Sequence, residues 1–190
     1  MNDFLLVVEG ESDRKFLKDL IIYRFARTLD DKDFILLGGN ETTIESKAKL
    51  LNSRRGLNLY FILDTDSDLS QKRKNTNEII KESKISVTDL FFLPNNSDAG
   101  NLEDLLFSII PEKNKDFFQC LENFKDCVLK LKQSELRTFD DKDLMYMYQD
   151  SFSEGKEAKE TKRSYLNDTI WNLNSPALDP LIQFLKNVLK

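Results

Sequence analysis

The chain has no histidine among its 190 residues. That absence removes Ser-His-Asp and Cys-His nucleophilic catalysis, His-ligated zinc, and nuclease chemistry with a histidine base. A metal site in this chain must be built from oxygen, which favours hard cations. Cysteine is scarce too. Cys120 and Cys127 are the only two, and on one helix they stand roughly 10 Å apart along the axis. That is too far for a disulfide within the helix, so both are expected to pack as small apolar groups. No apolar run approaches a membrane span, and the first is too short for a signal peptide. The expectation is therefore a cytoplasmic protein with no membrane partner. Neither charge sign dominates: 28 Lys and Arg against 33 Asp and Glu give a net charge of −5. This balance does not advertise nucleic-acid binding, nor does it exclude it where local basic clusters or a bound metal serve. Repeats are absent.

What is present is organised around residues 5 to 13, LLVVEGESD. The apolar run reads as the end of a buried strand, with Glu9 at its C-terminal tip. Gly10 lets the chain turn, and a helix begins near Asp13. Residues 57 to 63 read as a strand that delivers Asp64, Asp66 and Asp68. Between them, residues 34 to 37 are a short strand closed by Gly38-Gly39-Asn40, and Thr42 to Glu45 fits a capping box opening a second helix. Residues 70 to 83 are polar and basic, with Ile79 and Ile80 alone to bury, so a loop and a short exposed helix are expected there. Residues 87 to 93 are a fourth strand, stopped by Pro94. Strands alternating with helices of this length predict an α/β fold with right-handed crossovers and a parallel sheet.

Beyond this the character changes. Residues 101 to 110 read as a helix, and Phe117, Leu121, Phe124, Val128 and Leu131 follow as a narrow apolar seam. Residues 144 to 148 are a further helical piece, and residues 151 to 163 are polar and expected to be mobile. Asp179 is expected to cap a last helix with Pro180 at its first position, burying Leu181, Ile182, Leu185, Val188 and Leu189. The helical part, 111–190, is expected to cover the sheet of 1–110.

Taken singly, Glu9 is an acid at a helix start, and Asp64, Asp66 and Asp68 are turn residues. Together, on neighbouring strand tips, they repel unless a cation lies between them, and in an open parallel sheet the ligand crevice lies at the carboxyl ends of the strands. Mg²⁺ or Mn²⁺ is the expected ion. Glu103 follows the fourth strand at the same edge and is placed with the metal ligands, as is Asp13; Asp104 suits the dipole of its own helix. Gly39 sits where backbone amides could meet a phosphate at a helix start, with Gly10 in the same role. Lys72, Arg73 and Lys74 directly follow the acidic loop and are placed on a nucleic-acid backbone.

A strand ending in Val8-Glu9-Gly10 with Asp13 beyond it, then a later strand ending in Asp64-Thr65-Asp66 with Asp68, resembles the TOPRIM domain of topoisomerases, bacterial primases, OLD-family nucleases and a ribosomal-RNA maturase. The segment Gly100 to Leu106 and residues 171 to 185 are similar to small stand-alone members. The likeness implies a Rossmann-type parallel four-stranded sheet flanked by helices, with a C-terminal helical extension. It implies Mg²⁺- or Mn²⁺-dependent hydrolysis of DNA or RNA phosphodiesters. Glu9 would be a ligand or general base, and Asp64 and Asp66 would hold the ions. The OLD type places a basic residue near the metals from a later element; Lys159 or Lys162 would fill that role, with Lys162 the one assigned. A place in phage defence or RNA processing rests on the likeness alone. The alternative is a module that binds metal and nucleotide without turnover, as a sensor or partner subunit; a homodimer or a partner protein is left open. A phosphoacceptor receiver ranks lower, because Gly10 interrupts the acidic pair and no fifth strand is evident.

Overall fold

Five consecutive buried residues, Phe4–Val8, form the central strand β1. A strand buried on both faces needs no alternation of polar and apolar residues, and this one has none. The computed structural model describes residues 3–38, 42–54, 56–131, 135–152 and 163–190. Within them β2 (Phe34–Leu36), β3 (Asn58–Asp64) and β4 (Asp89–Leu93) join β1 in one sheet. The order is β2-β1-β3-β4 and every pairing is parallel. Val8 pairs with Leu36 on one side and Ile62 on the other, so the tips of β1 and β3 end side by side. The expected α/β sheet with flanking helices is therefore borne out.

Successive side chains of a strand point to opposite faces, and the core divides accordingly. Leu5, Val7, Phe61 and Leu63 pack with Ile44 and Leu51 of α2 (Thr42–Ser53) and with Ile79 and Ile80 of α3 (Leu69–Glu82). Phe4, Leu6, Val8 and Ile62 pack on the other face with α1 (Glu11–Phe25), α4 (Leu102–Ser108), α6 (Asp141–Ser151) and α7 (Asp179–Val188). From α7, Phe184 sets its ring against Tyr60 of β3 at 6.0 Å and Phe91 of β4 at 5.3 Å. The last helices thus share a core with the sheet. Trp171 is fully buried and meets Tyr148 of α6 at 5.3 Å. The stretch ahead of α7 is tied to α1 where the Tyr165 amide donates to Asp19 Oδ2 at 2.7 Å.

Several expectations need correction. Residues 69 to 82 form one continuous helix, not a loop and a short helix. Asp68 caps it, and its inward side buries Lys72 and Thr76 besides the two half-buried isoleucines; a lysine drawn in by an acid and a threonine do not register as a buried face in an apolar pattern. The seam of α5 (Lys115–Leu131) does not pack on the sheet. Phe118 is the buried residue of that helix, against Phe107 at 4.7 Å, whereas Phe117, Phe124 and Leu131 face outward. Cys120 and Cys127 are exposed rather than packed. Asp179 is the first helical residue of α7, and Leu178 holds the cap position. The Thr42 capping box, Gly39, Arg55, Lys159 and Lys162 fall outside the described residues or side chains, as do residues 153 to 162 of the stretch expected to be mobile. Among the described residues no helix is long and apolar enough to cross a membrane.

Candidate functional site

The chain runs from β1 outward to β2, then returns past β1 to place β3 on its other side. The helices after β1 and β3 therefore diverge, and a crevice opens between the two strand tips, the place where open parallel sheets bind ligands. Here a cleft of about 380 Å³ is lined by Glu9, Glu11, Ser12, Asp13, Asp64 and Glu103, with Gly10, Gly38, Leu102 and Lys142.

Each acid is held by a different element. Glu9 follows β1 directly and is 8% exposed; its Oε1 accepts from the Asp64 amide at 3.3 Å and from Lys72 Nζ at 3.4 Å. Asp13 is the third residue of α1 and turns back, so that Oδ2 accepts from the Gly10 amide at 2.8 Å. Asp64 ends β3, and its Oδ1 accepts from the Leu102 amide at 3.1 Å. Glu103 enters from the first turn of α4. That helix is fixed to β3 through Thr65, whose hydroxyl donates to the carbonyls of Leu93 and Gly100, both at 2.9 Å, and accepts from the Gly100 amide at 2.7 Å. Gly100 has φ +147°, and a Cβ there would meet Asp104 Oδ2 at 2.6 Å. Only glycine fits this junction.

Burial and mutual repulsion push these carboxyls toward the neutral form. Asp64 is raised to about 9, first by burial and then by the charges of Asp13, Glu9 and Glu103. Asp13 is raised to about 7, again chiefly by burial. Glu9 is raised by burial against the opposing pull of Lys72, and Glu103 by burial against the pull of Lys142. The site is rich in hard oxygen donors and short of positive charge, which suits a divalent cation. Among the described residues, however, no three acidic or cysteine side chains converge closely enough to form a ready-made cage.

The expected residues separate into two groups. Glu9, Asp13, Asp64 and Glu103 meet in the cleft, and Gly10 lines it. Asp66 stands at its edge at φ +55°, largely exposed, with Oδ2 at 3.7 Å from Lys72 Nζ. Asp68 is exposed and caps α3 by accepting from the Gln71 amide at 2.9 Å. Lys72 is 7% exposed and turns into the acids rather than out toward a polyanion. Arg73 lies over the Phe92 ring at 5.0 Å and donates to Asn96. Of the three basic residues expected on a nucleic-acid backbone, Lys74 alone is exposed.

Sequence reasoning missed Glu11, Ser12 and Lys142. The first two lie in the same turn as Asp13, and that adjacency was a usable signal. Lys142 had none, because it arrives on α6 only through tertiary docking. Tyr146, one turn further along α6, lies within 3.4 Å of the Ser12 hydroxyl, and the Arg163 guanidinium covers its ring at 4.0 Å. Arg163 is in turn fixed by Asp150 at 2.7 Å. It closes the polar stretch expected to be mobile and is 6% exposed.

Fold and site define an α/β protein with an acidic cleft at the switch point of a parallel sheet, roofed in part by a helical extension. The chain belongs to the family described as protein of unknown function (DUF3226), whose model matches residues 3–190. No curated protein and no solved structure matches it.

Proposed function

We propose that the cleft binds Mg²⁺ or Mn²⁺ and hydrolyses phosphodiester bonds of DNA or RNA. The observation that carries this reading is the meeting of Glu9, Asp13, Asp64 and Glu103 around one cleft at the tips of β1 and β3. The likeness of the Val8-Glu9-Gly10 and Asp64-Thr65-Asp66 motifs to the TOPRIM domain supports it. Glu9 and Asp64 are the ligands best placed to share an ion, with Asp13 and Glu103 completing the acidic wall. A divalent ion held there would polarise the phosphate and acidify an attacking water. Glu9, oriented by the Asp64 amide and Lys72, would take the proton from that water. Lys142, on the rim, would engage a phosphate oxygen and offset negative charge that builds there. Lys142 replaces Lys162 as the basic residue from a later element in this reading.

The test is incubation of purified protein with mixed DNA and RNA in Mn²⁺, Mg²⁺ or chelator, alongside Glu9→Gln and Asp64→Asn. Metal-dependent cleavage lost in both variants supports hydrolysis. Metal binding by calorimetry without cleavage favours the second reading, a cation- and nucleotide-binding module without turnover. Two observations lean toward that reading: Lys72 already neutralises part of Glu9, and no tight three-acid group exists among the described residues.

A further inference from the structure

We propose that α5 is a dimerisation helix, docking antiparallel against α5 of a second copy of this chain. Phe117, Cys120, Phe124, Cys127 and Leu131 recur at alternating steps of three and four and form one narrow stripe. Phe117, Phe124 and Leu131 are 37%, 46% and 53% exposed, and both cysteines are exposed as well. No polar residue interrupts the stripe. It runs beside the face that holds α5 to the protein through Phe118. Its inner flank is fixed, because Phe117 rests on Phe152 at 5.7 Å and Phe124 on Phe139 at 5.5 Å. An ordered, continuous apolar stripe exposed on the outer side of a helix marks an interface.

Two features of the stripe select a second copy as its occupant. First, large and small side chains alternate: Phe117, Cys120, Phe124, Cys127. Run antiparallel against itself, this order sets Phe117 opposite Cys127 of the second copy and Cys120 opposite Phe124. Each of these four layers then pairs a ring with a thiol and fills evenly. A parallel pairing stacks ring on ring and thiol on thiol, leaving bulges and voids. Second, the open flank carries Asp116 at one end, Asn123 in the middle and Lys130 at the other. The same antiparallel register brings Asp116 of each copy to Lys130 of the other, with the two Asn123 side chains at the centre. Neither Asp116 nor Lys130 has an ion pair within the chain among the described residues. A partner of other sequence would need this alternation and charge order by coincidence; a second copy has both.

Sedimentation equilibrium of the full chain at micromolar concentration and low salt tests the proposal. Wild type is expected to be a dimer. Phe124→Glu, and separately Cys127→Arg, should be monomers with unchanged circular dichroism, since both positions are exposed. Asp116→Lys and Lys130→Asp should each weaken the dimer at least tenfold, and the two together should restore it. A monomeric wild type, a dimer indifferent to both stripe variants, or a charge-swapped double variant that stays weak overturns the proposal.

Discussion

The Asp64 amide donates to Glu9 Oε1 at 3.3 Å, bonding the tip of β3 to the acid at the tip of β1. One oxygen of Glu9 therefore reports the register of the two central strands. An error of one residue in that register would turn Glu9 or Asp64 into the core.

This arrangement makes opposite demands on stability and on function. Asp64→Asn replaces a carboxyl that the folded cleft must hold protonated with a permanently neutral amide, and keeps the oxygen that accepts from Leu102. The metal-free variant should be more stable than wild type at pH 8, by about 1 to 3 kcal/mol. Cleavage, where wild type shows it, should fall at least a hundredfold in both Asp64→Asn and Glu9→Gln. Thermal melts and a single-turnover assay on the same preparations check both halves. A destabilised Asp64→Asn would make Asp64 a structural residue.

The pH dependence carries a definite sign. Asp64 titrates near 3.8 in the unfolded chain and at about 9 in the folded one. Between those values the native state holds the extra proton, so stability falls as pH rises. It is fully present below the unfolded value and lost progressively up to the folded one. Asp13, raised to about 7, adds to the slope in the lower part of the window. Metal-free wild type should melt at a higher temperature at pH 5 than at pH 8.5. Asp64→Asn should flatten that difference.

A divalent ion should reverse the trend. Mg²⁺ or Mn²⁺ at tenfold to hundredfold above Kd should stabilise wild type by about 1.4 to 2.7 kcal/mol at pH 8. At pH 5 the gain should shrink, because protons compete for the same carboxyls. Asp64→Asn should lose most of it. Melts at matched ionic strength separate this from general screening. An equal response in the two proteins places the ion elsewhere.

Lys72 is buried between Glu9 and Asp66. Lys72→Met keeps the length of the side chain and removes its charge, leaving Glu9 without that cation. The metal-free variant should lose about 1 to 3 kcal/mol at pH 8 and recover part of it as pH falls, because burial favours the neutral form of Glu9. Lys74→Gln, on the exposed side of the same helix, should leave stability within about 0.5 kcal/mol of wild type. Chemical denaturation at pH 8 and at lower pH distinguishes them.

Gly100→Ala should be among the most damaging single-methyl changes in the chain. The added Cβ would lie 2.6 Å from Asp104 Oδ2 at a backbone angle that L-residues avoid. The expected loss is roughly 2 to 4 kcal/mol, together with loosening of the loop that holds Asp64 and Glu103. Hydrogen exchange at the Leu102 amide, which donates to Asp64, should rise in this variant.

The local half of this protein was legible in its sequence. Uninterrupted apolar runs ending in Glu9 and Asp64 can only be buried strands, and Gly10 and Pro94 punctuate them. Strand–helix alternation then leaves a parallel sheet as the economical arrangement, with both acids at one edge. The absence of histidine restricted the site to oxygen chemistry. These conclusions rest on interactions between residues close in the chain, where steric rules act directly.

What the sequence left open was decided by contacts between distant residues. Asp66 and Asp68 looked equal to Asp64, yet one residue of backbone turn sends Asp66 to solvent and makes Asp68 a cap for α3. Lys72 looked like a contact for a nucleic-acid backbone, but the acids beside it draw it inward. Lys142 and Arg163 reach their places only because α6 docks on α1 and α4, a packing of shapes that no spacing encodes. The seam of α5 had a visible period, but period does not say what it faces. Here the sheet was already covered by α7, which carries Phe184 onto β3 and β4; Leu121 of the seam still packs on the core, and Phe117, Phe124 and Leu131 were left outside.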